Sequence, residues 1–394
     1  MRFWFTEEQE KFRQGIRDFL QAELKAGTFV AKSGGLAEGS NQAFSRKMAE
    51  RGWIGMTWPK QYGGQGRTYV DKVILNEEIF KVQAPVAYHF LADRQIGPSI
   101  IHFGSEWQKE YFLPRFVKAE DHLKFCLLFS EPNAGSDLVN VATSAMKDGD
   151  AYIIRGQKVW TSGGHQSDYG WLLARTCFDP KVPRHESCSQ FILDLRLPGV
   201  TVRPIINMAG RHTFNEVFFD DVRVEKRFMV GPENDAFKQI MAQMDYERAG
   251  MERLLQNYPV YMKLLTHVQE MKKTRKGDPF YEWVKDAVAQ LEIEFNIGRL
   301  LCYYTAWTID IGRKPTSEAA LTKAYCNQYE QRLNDLATRV LGPASQIRGG
   351  SPWSPYDGEI GDCYLWSPSY TLQGGSVEVL KNIVALRRLG MPRK

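Results

Sequence analysis

At 394 residues the chain exceeds what one hydrophobic core usually serves, so two or three packed units are expected. It is 43% hydrophobic and 25% charged, the composition of an ordinary globular protein. Its net charge of +5 comes from 51 basic residues interleaved with 46 acidic ones, which gives no extended basic face for nucleic acid.

The first segment, 1–120, reads as helical. "TEEQEKFRQGIRDFLQAEL" opens on Thr6 followed by acidic residues, as a helix N-terminus should. Phe12, Ile16, Phe19 and Leu20 then form one apolar stripe. "RGWIGMTWPKQYGGQG" (51–66) is a break rich in Gly, Pro and aromatics. "YVDKVILNEEIFKV" and "SEWQKEYFLPRF" return to helical spacing. The segment 121–232 changes character. "KFCLLFS", "DAYIIRGQKVW", "YGWLLART", "SQFILDL", "VTVRPI" and "NEVFFDDVRV" are short apolar or β-branched runs separated by Gly, Asp and Pro, the signature of an antiparallel β-domain. From 233 to 394 the helical period returns. It predicts long helices near 235–270, 279–312 and 316–341, a loop at "LGPASQIRGGSPWSPYDGEIGD" and a last helix over 376–389.

The longest basic cluster, "KKTRK" (272–276), sits beside Gly277-Asp278-Pro279 and reads as a solvated turn. A site for acidic ligands such as phosphates fits it equally well. The six cysteines form no C-x-x-C pair and no signal peptide is visible, so reduced thiols and a cytoplasmic location are expected. No run of about eighteen apolar residues predicts a membrane helix. The seven histidines lack zinc-type spacing, so no metal is expected.

Two segments invite a chemical reading. "FSEPNAGSD" (129–137) is, on its own residues, a good turn. "GQKVWTSGGHQSD" (156–168) places Trp160, Thr161 and Ser162 at a strand end before two glycines. Trp160 there is either a core residue or the wall of a flat ring whose edge bonds the neighbouring hydroxyls and backbone.

Together, "GWIGMTWPKQYGGQG", "QIGPSIIHFGSEWQKEYFLPRF", "FSEPNAGSD", "RGQKVWTSGG" and "LQGGSVEVLKNIVALRRLGMPR" resemble the acyl-CoA dehydrogenase family in order and spacing, from Phe5 to Arg393. The resemblance implies an α+β multidomain fold: an N-terminal helical domain, a middle antiparallel β-domain and a C-terminal four-helix bundle. It implies non-covalent FAD, an acyl-CoA thioester substrate and a role of the β-oxidation type. It further implies transfer of electrons to an electron-transferring flavoprotein, and a homotetramer, with a dimer or heteromer as alternatives. Chemically, a base removes the α-proton while the β-carbon delivers a hydride to flavin N5, and charge developing on the thioester oxygen needs donors.

By that resemblance Phe129, Ser130, Trp160, Thr161 and Ser162 line the flavin, with Ser162 reaching N5. Ser136 contacts the CoA arm. Ser376 and Glu378, opening the last helix, touch the cofactor's diphosphate and adenosine, at a helix end suited to phosphate. Many members carry an Arg-x-x-Phe-Gly segment whose arginine reaches a neighbouring subunit's FAD diphosphate; here the region departs from that pattern, reading "KKTRKGDPFYEW", with Arg275 as the candidate substitute.

Many members hold the catalytic glutamate where this chain has Gly374. A smaller group, which includes isovaleryl-CoA and long-chain acyl-CoA dehydrogenases, places it on a C-terminal-domain helix in an Glu-Arg pair. "QMDYERAGMERL" (243–254) supplies that pair as Glu247-Arg248. On a continuous helix Phe237, Ile240, Met241, Met244, Met251, Leu254 and Leu255 share one face with Glu247. A desolvated carboxylate there would have the raised pKa a general base needs. Its alternative is a structural salt bridge to another helix. Asp245 and Arg248 fall near the substrate or are structural. The resulting expectation is a divided site, with an oxyanion donor at the Gly374 N–H and a base at Glu247. Competing readings are a half-site subunit of a heteromer, a flavin oxidase and a simple CoA-ester binding protein. The acyl group is left open among linear, branched, cyclic, aromatic and dicarboxylic forms.

Overall fold

The structure is a computed structural model that describes residues 4–31, 39–247 and 250–393, the side chains of 245–247 excepted. Its chain order is helical segment, β-domain, helical segment, as the sequence leads one to expect. The described residues gather into two compact units: 4–31, 68–84 and 250–393 form one, and 39–67 with 85–247 form the other.

Helix α1 (Glu7–Lys25) begins at a capping box. The Thr6 hydroxyl accepts from the Gln9 N–H while the Gln9 side chain accepts from the Thr6 N–H. Its stripe buries Ile16, Phe19 and Leu20. Next come α2 (Gln42–Glu50), α3 (Tyr69–Lys81), α4 (Ala87–Leu91), α5 (Gly97–Phe103) and α6 (Glu106–Val117). Asn41, Thr68 and Ser105 cap α2, α3 and α6 with side-chain oxygens.

The strands are β1 (Phe125–Leu128), β2 (Ser144–Asp148), β3 (Ala151–Lys158), β4 (Tyr169–Arg175), β5 (Cys188–Asp194), β6 (Val200–Ile206), β7 (His212–Glu225) and β8 (Met229–Val230). They form one sheet in the order β6-β7-β3-β2-β4-β5-β8, with β1 paired to β4. Most pairs are antiparallel. β1 runs parallel to β4, and β2 meets β4 in parallel at Ser144 and Arg175, so the sheet is not purely antiparallel. The sequence reading misses β2 because its outer residues are exposed and Ala145 alone is buried, leaving little alternation to detect. Strand β4 is buried on both faces. Tyr169 and Trp171 pack with Phe112, Phe116 and Phe125 on one side, while Leu172 and Ala174 pack with Tyr152 and Phe191 on the other.

The later helices are α7 (Ala236–Glu247), α8 (Tyr258–Thr274), α9 (Pro279–Asp310), α10 (Thr316–Leu341), α11 (Glu359–Trp366) and α12 (Val377–Arg387). In the helical unit α10 packs against α8, α9, α11 and α12. A buried ionic cluster ties α1 and α3 to α9. Arg13 reaches Glu77 at 3.0 Å and Glu78 at 2.7 Å, and Arg299 reaches Glu77 at 2.7 Å.

The single helix expected over 235–270 does not form. α7 stops at Glu247, Gly250 is extended (φ −96°, ψ 152°), and a short turn over Met251–Arg253 precedes α8. Pro259 in the first turn of α8 lacks the N–H that a helix arriving from upstream would use. The expected seven-residue apolar face therefore divides. Phe237, Ile240 and Met244 pack with Ala134, Val141, Leu173 and Cys188 in the β-containing unit. Met251, Leu254 and Leu255 are buried in the helical unit, and Met241 is exposed. Helix α11, its first half expected to be loop, also forms, with Gly358 in the left-handed region just before it.

The six cysteines are free thiols. No helix among the described residues is long and apolar enough to cross a membrane, and none of their His, Cys, Asp and Glu groups is arranged to hold a metal.

Candidate active site

In the β-containing unit the site residues are assembled at the ends of β1 and β3. The Val159 N–H donates to the Ser130 carbonyl at 2.9 Å. Lys158 is wholly buried, and its Nζ donates to the Phe129 carbonyl at 3.0 Å and to Glu131 Oε1 at 2.8 Å. Glu131 also accepts the N–H groups of Ala142 (2.6 Å) and Thr143 (2.9 Å). Burial opposes the Glu131 charge, but Lys158 and these N–H groups outweigh it and hold the carboxyl below its usual range. Burial pushes the Lys158 ammonium down to about 8 against the pull of Glu131. The pair thus laces "FSEPNAGSD" to the end of β3, and Phe129, Ser130, Trp160, Thr161 and Ser162 come together. The turn expected of "FSEPNAGSD" is present, closed by reciprocal Glu131–Ala134 backbone bonds, with Ser136 exposed on it.

Trp160 has φ +60°, the left-handed region that a bulky residue seldom adopts, and is 58% exposed. It is therefore not a core residue. Its ring stands edge-on to Phe214 at 5.9 Å. Thr161 and Asn215 exchange backbone bonds at 3.0 Å, and Asn215 Nδ2 donates again to the Thr161 carbonyl at 2.9 Å. His165 and His212 stack with ring centroids 3.8 Å apart, and both bond the Asn215 side chain. Thr161 is buried, yet its Oγ1 has no hydrogen-bond partner among the described residues. Such a hydroxyl costs about 1–3 kcal/mol until something bonds it. An exposed flat ring held in a strained corner, an unpartnered hydroxyl behind it and exposed Ser162 beside it fit a flat polar-edged cofactor such as FAD.

In the helical unit Gly374 and Gly375 have φ +63° and +96°, conformations that favour glycine. Ser376 caps α12, its Oγ accepting from the Val379 N–H at 3.4 Å, and Glu378 lies in the first turn. The segment before them is fastened to one face of α10. Lys323 Nζ donates to the carbonyls of Gln373 (2.7 Å) and Gly375 (2.8 Å), Asn327 donates to the Tyr370 carbonyl, and Gln331 donates to Thr371 Oγ1 at 3.1 Å. Glu330 on the same helix accepts from Asn257, through its N–H at 3.3 Å and its Nδ2 at 2.6 Å, and Asn257 Nδ2 also meets Tyr370 Oη at 3.2 Å. Burial pushes the Glu330 carboxyl up to about 8 despite these bonds.

Sequence reasoning missed Lys158, Glu131, Lys323 and Glu330. Lys158 and Glu131 stood inside the quoted motifs. For α10 a signal existed: Lys323, Asn327, Glu330 and Gln331 recur at helical spacing between buried apolar residues.

Glu247 ends α7; its side chain and that of Asp245 lie outside the described residues, as does all of Arg248. Arg275 is exposed in the turn between α8 and α9, 3.7 Å from Asp278 and over the Phe280 ring. Of "KKTRK", expected to be a solvated turn, Lys272, Lys273 and Thr274 are instead the exposed end of α8, and the turn begins at Arg275 and Lys276.

Comparison with known proteins accounts for this arrangement. Three family models match in order: "Acyl-CoA dehydrogenase, N-terminal domain" over residues 6–120, the middle domain over 126–222 and the C-terminal domain over 234–389. The acyl-CoA dehydrogenase IpdE1 of Mycobacterium tuberculosis is 32% identical, across 98% of each chain. The acyl-CoA dehydrogenase FadE26 of the same organism is 31% identical, across 100% of this chain and 99% of its own. Among solved structures, the Tcur3481–Tcur3483 steroid ACAD superposes with a TM-score of 0.87 at 28% identity. The ChsE4–ChsE5 complex from Mycobacterium tuberculosis does so at 0.81 and 30%. Both cover 100% of each chain. The chain belongs to the acyl-CoA dehydrogenase family, oxidoreductases that carry FAD.

Proposed function

We propose that this protein removes hydrogen across the α,β-bond of a bulky, ring-bearing acyl-CoA thioester and passes the electrons to an electron-transferring flavoprotein. The observation that carries the reading is the Trp160–Thr161 corner, where a left-handed, exposed tryptophan adjoins a buried hydroxyl without a partner. Phe129, Ser130 and Ser162 complete that wall, and Ser376, Glu378 and Arg275 are assigned to the cofactor's diphosphate and adenosine. When bound, FAD supplies the hydride acceptor. Glu247 takes the α-proton, the Gly374 N–H donates to the thioester oxygen as charge develops there, and Ser136, Asp245 and Arg248 contact the substrate. A ring-bearing acyl group is favoured by the full-length likeness to a structure named as a steroid ACAD. The six free thiols suit a reducing compartment such as the cytoplasm.

A second reading concerns assembly. One structural relative is named as the ChsE4–ChsE5 complex and another carries the paired name Tcur3481–Tcur3483, which favours a heteromer over the homotetramer first expected. In that case this chain supplies the base and its partner a related fold.

Anaerobic titration of the purified protein with linear, branched, aromatic and steroid-side-chain acyl-CoAs, read by flavin absorbance, tests both readings. Bleaching by a ring-bearing thioester in the wild type, and none in a Glu247→Gln variant that keeps its FAD, is expected. Substantial turnover by Glu247→Gln would sink the base assignment. Bleaching that needs an added second chain would establish the heteromer.

A further inference from the structure

Lys323 has no place in the reaction as described, yet it is 0% exposed on α10. Burying an ammonium costs several kcal/mol unless strong acceptors surround it. Among its acceptors are two carbonyls, those of Gln373 at 2.7 Å and Gly375 at 2.8 Å, which flank Gly374.

These two bonds fix a direction. In a trans peptide the C=O of one residue and the N–H of the next point opposite ways, and the described residues contain no cis peptide. The Gln373 carbonyl points at Lys323, so the Gly374 N–H points away from α10. The Gly375 carbonyl does the same, which turns the Ser376 N–H away as well. A loop through two glycines has many conformations, and φ values of +63° and +96° are among those glycine adopts freely. Local bonds hold the residues on either side: the Gln373 N–H donates to the Ser369 carbonyl and Ser376 caps α12. The Lys323 clamp adds the hold on the two carbonyls between them, and so sets where the Gly374 donor aims.

We infer that Lys323 is a positioning residue for the oxyanion donor: by holding the carbonyls on either side of Gly374 it orients that N–H toward the thioester oxygen. The inference rests on the proposed role of Gly374. It assigns Lys323 no contact with substrate or cofactor.

Acetoacetyl-CoA tests it, because its enolate absorbs in the ultraviolet and a donor at its thioester oxygen lowers the pH at which it enolises. The FAD-loaded wild type, Lys323→Met and Lys323→Gln are compared for probe affinity and for the enolisation midpoint. Lys323→Met keeps the stem and removes the donors; Lys323→Gln keeps one shorter donor. The wild type should enolise the bound probe well below its midpoint in solution. Lys323→Met should weaken enolisation by about tenfold or more while affinity and FAD content change less than about twofold. Lys323→Gln should fall between. An unchanged midpoint in Lys323→Met overturns the inference and leaves Gly374 as donor. No lowering in the wild type overturns the Gly374 reading and the inference with it. If Lys323→Met does not fold, the midpoint of Lys323→Gln decides, since it too should rise.

Discussion

Glu330→Gln should make the protein more stable at neutral pH, and the gain should grow with pH. Glu330 is wholly buried on α10, and burial raises its carboxyl from 4.5 to about 8. The unfolded chain releases this proton near 4.5 while the folded chain keeps it to about 8. Between those values the folded state binds more protons, so stability falls as pH rises. At about 1.4 kcal/mol per unit, the wild type should lose about 3 kcal/mol between pH of about 5 and about 7.5. A glutamine does not titrate, so the variant should not lose it. The Gln side chain keeps one acceptor for the Asn257 N–H. Its new NH2 can be met by turning over the Asn257 amide, whose Oδ1 has no partner among the described residues. That turn gives up the Asn257–Tyr370 bond, a pH-independent cost of about 1 kcal/mol. Asn257 and Gln256 groups face the carboxyl, and the adjacent Tyr329 phenol is itself raised well above its usual value, by burial first and then by charges that include Glu330. The assay is denaturant unfolding of both proteins at the two pH values with FAD saturating. A stability difference that does not change with pH would mean Glu330 is ionised in the folded state, and the reasoning would fail.

Thr161→Val replaces the unpartnered hydroxyl with a methyl. FAD affinity should fall about five- to tenfold while the apoprotein stays as stable or gains, by fluorescence titration and thermal unfolding; unchanged affinity would mean the hydroxyl does not bond FAD. Lys158→Met leaves Glu131 buried without its cation and should cost about 3 kcal/mol and loosen FAD. Adding Glu131→Gln should restore part of that loss, and a double variant no better than the single would refute the pair as the brace. Glu247→Gln and the Lys323 variants, with the flavin and enolisation readouts described above, test the base and the donor.

The sequence by itself determined much of the fold. Local rules suffice for Thr6 at the start of α1, for the short apolar or β-branched runs of β3 to β7, and for α10 over 316–341, because caps, runs and periodicities are written in neighbouring residues. It also determined that Gly374, without a side chain, could be no carboxylate base. Five motifs in order pointed to the family. Tertiary structure decided the rest. The break between α7 and α8 went unseen because Met251, Leu254 and Leu255 continue the period of Phe237, Ile240 and Met244, although the two groups are buried in different units. Periodicity records which residues are apolar, not which core receives them. Strand β2 escaped because its exposed residues carry no alternation. The supports of the site were the least legible. Lys158 meets a carbonyl 29 residues away and a carboxylate 27 residues away, and Lys323 meets carbonyls 50 and 52 residues away. Such bonds leave no local pattern. A lysine that reads as a solvated charge becomes a buried brace only once packing has removed its water and brought distant carbonyls to its ammonium.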